Sequence, residues 1–185
     1  MRRLFDLIFA VVLLPLCMVL IILCSVSIMV CHGRPIFFRS ERLGKNQQSF
    51  TMIKLRTMST CAPLIPSSAH SSKVYVTKLG RIFRLTSLDE LPQLFNILNG
   101  SMTFIGPRPC LSSEYELIER RQSENIFAMI PGITGLAQVR GRDNNSVRTK
   151  VHYESFYLKK RSLFFDVKIL CLTMRAVFKF SDVSH

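Results

Sequence analysis

The chain has 185 residues, with 25 Lys and Arg against 12 Asp and Glu, giving a net charge of +13 and a pI near 10. That length suits one domain with a modest core, and the charge surplus points to polyanionic partners (nucleic acid, anionic lipid or phosphorylated substrates) without choosing among them. The six cysteines form no Cys-x-x-Cys pair; zinc-type spacing is excluded, and small buried hydrophobes in a reducing compartment are the expectation.

Leu4 to Val30 is a run of 27 residues with one charge, Asp6. As a helix it would be about 40 Å long, more than a hydrocarbon core of about 30 Å, so it is expected to be embedded in a membrane. No Ala-x-Ala site closes the run, which argues against a cleaved signal peptide. Arg2 and Arg3 precede it, and Arg34, Arg39, Arg42 and Lys45 follow. Basic flanks favour the cytoplasm, here on both sides. Pro15, near the middle, removes a backbone donor and clashes with the preceding turn. The expected arrangement over residues 1–32 is a re-entrant helix broken at Pro15. A kinked spanning helix is the alternative, and the residues alone leave the two open.

Residues 33–185 read as a basic domain on the cytoplasmic face. Residues 37–44 and 50–58 suggest two extended segments around a polar turn, and 59–73, rich in Ser, Pro and Ala, reads as a loop. Leu91, Leu94, Phe95 and Leu98 form a helical stripe ending at Asn99-Gly100. A polar helix is expected over 112–125, a turn over 131–135, a short strand over 136–139, a polar loop over 141–146 and a helix over 151–161. Residues 163–180 mix apolar side chains with Asp166, Lys168, Arg175 and Lys179. That stretch is too charged to span a bilayer; it suits an interfacial helix or an amphipathic helix packed on the core. The fold class expected is α+β: a small mixed helix/strand domain with interfacial amphipathic helices.

The chemistry concentrates between residues 84 and 109. Arg84 is followed by Thr86-Ser87-Leu88-Asp89-Glu90-Leu91-Pro92-Gln93-Leu94, and then by Gly106-Pro107-Arg108-Pro109. One carboxylate can attack phosphorus, a neighbour can hold a divalent cation, and arginines can bind phosphoryl oxygens in fork geometry. Ser87 and Glu90 also have capping-box spacing, which would reduce Glu90 to a structural role. Pro92 opposes that reading: proline suits the first position of a helix, which places Asp89 and Glu90 just ahead of one. Arg108 sits between two prolines, a rigid mount for a phosphate ligand. Arg140 and Arg142 flank Gly141. Walker-type and Gly-x-Gly-x-x-Gly loops are absent from the sequence.

These residues resemble the small monotopic phosphoglycosyl transferases of bacteria, the bacterial sugar transferase family. The resemblance runs through Gly33-Arg34-Pro35-Ile36-Phe37-Phe38, Lys54-Leu55-Arg56-Thr57-Met58, Thr77-Lys78-Leu79-Gly80-Arg81 and the Asp89-Glu90 segment. It continues through Gly106-Pro107-Arg108-Pro109, Pro131-Gly132-Ile133-Thr134-Gly135 and Gln138-Val139-x-Gly141-Arg142. It implies transfer of a phosphosugar from a UDP-sugar to polyprenyl (undecaprenyl) phosphate at the cytoplasmic membrane face, releasing UMP. It further implies Asp89 as nucleophile through a phosphosugar-aspartyl intermediate and Glu90 as the ligand of Mg²⁺. Lys54, Arg84, Arg108 and Arg142 would hold phosphates or the nucleotide, and the membrane helix would be re-entrant at Pro15. Leu14, Cys110 and Glu154 stand where the family usually has serine, an acidic or aliphatic residue, and aspartate.

Two rival readings are a membrane-tethered nucleic-acid binder, motivated by the charge but lacking any recognition motif, and a non-catalytic scaffold of the same fold. The sugar and the glycan pathway have no legible code in the sequence.

Overall fold

The computed structural model describes residues 2–61, 75–141 and 145–178. Helix α1 (Arg2–His32) includes Pro15 and stays helical on both sides of it. Its buried positions, Asp6, Ala10, Cys17, Ile21, Cys24 and Ile28, recur at intervals of mostly three and four, one stripe of a helix. The opposite side exposes Leu4, Ile8, Val12, Val19, Leu23 and Val30. Among the described residues α1 is the one helix long and apolar enough to cross a membrane.

Both ends of α1 are tied to the same domain. At its start, Arg3 donates to the carbonyls of Ile97 and Leu98, placing a cation at the negative end of another helix. Asp6 accepts from Thr103 Oγ1 at 2.7 Å and from the Phe104 amide at 3.3 Å. At its end, Cys24 and Ile28 pack with Leu55 and Phe83, while Arg56 Nη2 donates to the carbonyls of His32 and Gly33, each at 2.8 Å.

Strands β1 (Phe37–Leu43) and β2 (Ser49–Leu55) form an antiparallel hairpin in which Phe37 faces Leu55 and Leu43 faces Ser49. This agrees with the two extended segments expected from sequence. Helix α2 (Lys78–Thr86) is capped by Thr77, whose Oγ1 accepts the Gly80 amide at 2.9 Å. Gly80 lets α2 lie directly on the chain beyond β2: a Cβ there would sit 2.0 Å from the Thr57 carbonyl oxygen. Helix α3 (Gln93–Asn99) ends at Gly100, as its stripe implied. Asn96 on α3 is 1% exposed. Its Oδ1 accepts the Ile53 amide at 3.1 Å and its Nδ2 donates to the Thr51 carbonyl at 2.8 Å, so one side chain satisfies the free edge of β2.

Strand β3 (Thr103–Ile105) pairs in parallel with β4 (Gly132–Thr134), Thr103 opposite Gly132 and Ile105 opposite Thr134. The segment expected as a turn over 131–135 is therefore largely a strand. Gly132 is required by the pairing, since a Cβ there would meet the Gly106 nitrogen at 2.1 Å. Residues 136–139, expected as a strand, form helix α5 (Leu136–Val139). Four residues are too few for periodicity to separate strand from helix, and Leu136 and Ala137 are buried where α5 packs on the last two helices. Helix α4 (Tyr115–Ser123) and helix α6 (Val147–Lys160) lie where helices were expected. They are joined by Arg121, which donates from two nitrogens to both carboxylate oxygens of Glu154 in a buried pair. Helix α7 (Leu163–Phe178) buries Ile169 but leaves Leu163, Phe164, Val167 and Met174 exposed, so it is both a packing helix and an apolar outer surface. Asp166 on α7 accepts from Tyr157 OH at 2.6 Å and pairs with Arg2 at 3.3 Å, linking α6, α7 and α1. The main core gathers Ile97, Met102, Ile126 and Ile169, each at most 1% exposed.

Candidate active site

Helix α2 stops at Ser87, which takes a left-handed conformation at φ 58°. The chain then makes one 3-10 turn, Leu88–Glu90, before Pro92 leads into α3. Ser87 makes no side-chain capping bond, so the capping-box reading of Glu90 does not describe this turn. Asp89 and Glu90 are instead held ahead of α3, where the proline argument placed them.

Glu90 is bound by side chains from two distant segments. Lys54 Nζ, from β2, lies 2.6 Å from its Oε1, and both terminal nitrogens of Arg108 lie 3.4 Å from the same oxygen. Burial works against ionisation of Glu90, but the charges and hydrogen bonds of Lys54 and Arg108 outweigh it and hold its pKa down to about 2. Asp89 is 7% exposed. Burial raises its pKa to about 6, the Glu90 charge adds to the rise, and Lys54, Arg84 and Arg108 oppose it. The two adjacent carboxyls are thus driven apart in acidity, a pattern of sites that assign different roles to paired acids.

Of the six polar residues singled out from sequence, the structure brings Asp89, Glu90, Lys54 and Arg108 into one cluster. Arg84 joins it: its Nε donates to Thr57 Oγ1 at 2.9 Å and its charge acts on Asp89. Arg142 lies outside the described residues. Pro15 lies inside α1, remote in sequence from the cluster. Sequence reasoning missed Thr57, which steadies Arg84, and Arg42, a partly buried cation at the end of β1. Burial lowers the pKa of Arg42, and the nearby charge of Arg108 lowers it further. Thr57 had a signal, its place in the Lys54–Met58 run. Arg42 had only its charge.

The donor set suits a hard divalent cation bound in part by substrate. Among the described residues there is no group of three His, Cys, Asp or Glu that would cage a metal. Magnesium, however, is ordinarily bound through one or two carboxylates plus phosphate oxygens and water. Glu90 is anionic, and its bonds to Lys54 and Arg108 fall on Oε1, so Oε2 is the oxygen that would serve a metal.

A buried carboxyl beside an anionic one, with three cations acting on the pair, thus stands on a domain that also carries a long apolar helix. The chain belongs to the bacterial sugar transferase family, matching it over residues 1–180. It is 39% identical over 181 residues to the uncharacterized sugar transferase EpsL of Bacillus subtilis, covering 96% of this chain and 87% of that protein. It is 34% identical over 194 residues to the exopolysaccharide production protein ExoY of Rhizobium meliloti, covering 95% of this chain and 84% of that one. A larger relative, the undecaprenyl-phosphate galactose phosphotransferase of Salmonella typhimurium, is 35% identical over 163 residues, which are 80% of this chain and 34% of that protein.

Proposed function

We propose that this chain transfers a phosphosugar from a UDP-sugar to undecaprenyl phosphate at the cytoplasmic face of a bacterial membrane, releasing UMP, as an early membrane step of polysaccharide or glycoconjugate assembly. The observation that carries the reading is the buried Asp89 beside an anionic Glu90, inside the charges of Lys54, Arg84 and Arg108. The relatives' names, an undecaprenyl-phosphate galactose phosphotransferase and a UDP-glucose:undecaprenyl-phosphate glucose-1-phosphate transferase, supply the substrate classes.

In this mechanism an Asp89 carboxylate oxygen attacks the sugar-bearing phosphorus. A phosphorus–oxygen bond forms to Asp89, and the bond to the bridging oxygen breaks, with UMP leaving on that oxygen. A phosphate oxygen of undecaprenyl phosphate then attacks the same phosphorus and the Asp89 carboxylate departs. Two displacements let a soluble donor and a lipid acceptor use one site in turn. Lys54, Arg84 and Arg108 offset the charge gathered on the phosphoryl oxygens. Glu90 is the residue that would hold Mg²⁺, whose chemistry there is neutralisation of the donor diphosphate.

The anchor supports a one-sided topology. With both ends of α1 bonded to one domain, a spanning arrangement would tear one end away. The re-entrant reading, with Pro15 near the turning point, keeps both ends in place while the exposed apolar face meets lipid. The test is UMP release by the purified protein with Mg²⁺, undecaprenyl phosphate and a panel of UDP-sugars. Release that Asp89→Asn abolishes, with an intact-mass adduct of one phosphosugar on the wild type alone, is expected. Silence from folded protein in lipid across the panel overturns the reading in favour of a non-catalytic scaffold.

A further inference from the structure

Gln93 is 2% exposed, and its Nε2 is buried with no hydrogen-bond partner among the described residues. Such an amide is unfavourable relative to a satisfied one, so the fold does not hold it for stability. Its position is informative. Leu91 and Pro92 have helical backbone conformations, and bonds from the Leu91 amide to the Leu88 carbonyl and from the Leu94 amide to the Leu91 carbonyl carry a helical path across Pro92. These are i→i−3 bonds of the 3-10 kind; Gln93 follows Asp89 by little more than one turn, and Gln93 and Asn96, three apart, share a face of α3.

The far end of this face is accounted for, because Asn96 grips β2 at Thr51 and Ile53. Asp89 comes in the turn just before α3, and Lys54, the next residue of β2 after Ile53, reaches Glu90. Along the chain Gln93 therefore lies between a bonded amide and the carboxyl assigned as nucleophile. Its Nε2 is a buried donor with no acceptor among the described residues, little more than one turn along the chain from Asp89.

We propose that Gln93 is a further catalytic residue, its Nε2–H donating to a non-bridging oxygen of the phosphorus that Asp89 attacks. The inference rests on the transferase reading above. No proton is transferred; the amide donates a hydrogen bond that strengthens as charge develops on that oxygen, in a setting from which water is excluded.

The experiment compares wild type with Gln93→Leu, which keeps volume and removes the donor, and with Gln93→Met, which keeps length should the leucine variant fail to fold. Removal of one such donor is expected to lower kcat by about 100-fold while KM stays within about threefold, with a melting temperature equal to or above wild type. A donor bearing sulfur in place of a non-bridging oxygen on the sugar-bearing phosphorus supplies a second readout: it slows the wild type, and the slowing shrinks once Gln93 is gone. A folded variant whose kcat stays within about threefold of wild type overturns the inference, as does a fall in kcat that tracks lost thermal stability with the sulfur effect unchanged. If the wild type releases no UMP from any donor, the transferase reading fails first. If it does release UMP, loses that activity in Asp89→Asn and keeps it in Gln93→Leu, only the role of Gln93 fails.

Discussion

Replacing Asp89 by Asn is expected to make the protein more stable while abolishing its chemistry. The Asp89 carboxyl is buried, and in the fold its pKa rises from 3.8 to about 6, so the folded state prefers the neutral form. Each pKa unit corresponds to about 1.4 kcal/mol, and roughly two units give a ceiling of about 3 kcal/mol held against folding at neutral pH. Asn is nearly isosteric and already neutral, so it removes that burden. For a chain of this size the ceiling corresponds to a rise in melting temperature of about 6–12 °C. The sign follows from linkage. Because the folded pKa is the higher one, the carboxyl's contribution to stability is present in full below about pH 4 and is lost as pH rises through about 6. Thermal melts in detergent with EDTA, at about pH 7.5 and about pH 4, should therefore show a large gap in favour of the variant that mostly closes at the lower pH. A variant less stable than wild type at neutral pH, or a gap that ignores pH, would refute the reasoning.

Removing Lys54 leaves Glu90 with the weaker contact to Arg108. Lys54→Met should lower stability by about 3 kcal/mol and reduce UMP release by more than about 100-fold, read by melting and by the nucleotide assay. Arg121 and Glu154 are both buried, and Glu154→Gln breaks a doubly bonded pair. A loss of about 3–5 kcal/mol is expected, with specific activity of the folded fraction unchanged, measured by denaturant titration and activity per folded molecule. A fluorescent protein fused before Met1 should fluoresce in cells, and a phosphatase that matures only outside the cytoplasm should be inactive at the same position. The opposite pair of results would establish a spanning α1.

What the sequence showed was what neighbours in the chain decide. The hairpin followed from two extended runs around a polar turn, and Pro92 placed the Asp89-Glu90 pair ahead of α3 because proline suits the start of a helix, although Leu91 before it is itself helical. What stayed hidden depends on distant segments meeting. The parallel pairing of β3 with β4 joins residues about thirty apart, and no local propensity marks 132–134 as a strand. Helix α5 is too short to show a period. The basic residues of the site were visible as charges, but their convergence was not: Lys54 and Arg108 reach Glu90 across 36 and 18 positions. Asn96 and Gln93 look alike as polar residues on an apolar helix. Only packing distinguishes the one that binds β2 from the one left without a partner.

The anchor and the site share elements, which on the proposed function would link membrane position to catalysis. Arg3 holds the end of α3 whose beginning follows Glu90, and Arg56, two residues after Lys54 on the same chain path, holds the final carbonyls of α1. On the proposed function, these bonds would fix the site relative to the lipid surface at which undecaprenyl phosphate presents its head group. Arg56→Ala removes two charge-assisted bonds to the end of α1 and leaves Asp89, Glu90, Lys54, Arg84 and Arg108 unaltered. It should leave the first displacement, which uses a soluble donor, close to wild type in a single-turnover burst of UMP. The second displacement needs the lipid at the right depth and should slow by about tenfold or more, since a small misplacement of reacting groups is enough for such a loss. The phosphosugar adduct on Asp89 should then accumulate during turnover, visible by intact mass. A variant that loses both steps equally would show that Arg56 supports the fold as a whole and not the height of the site above the membrane.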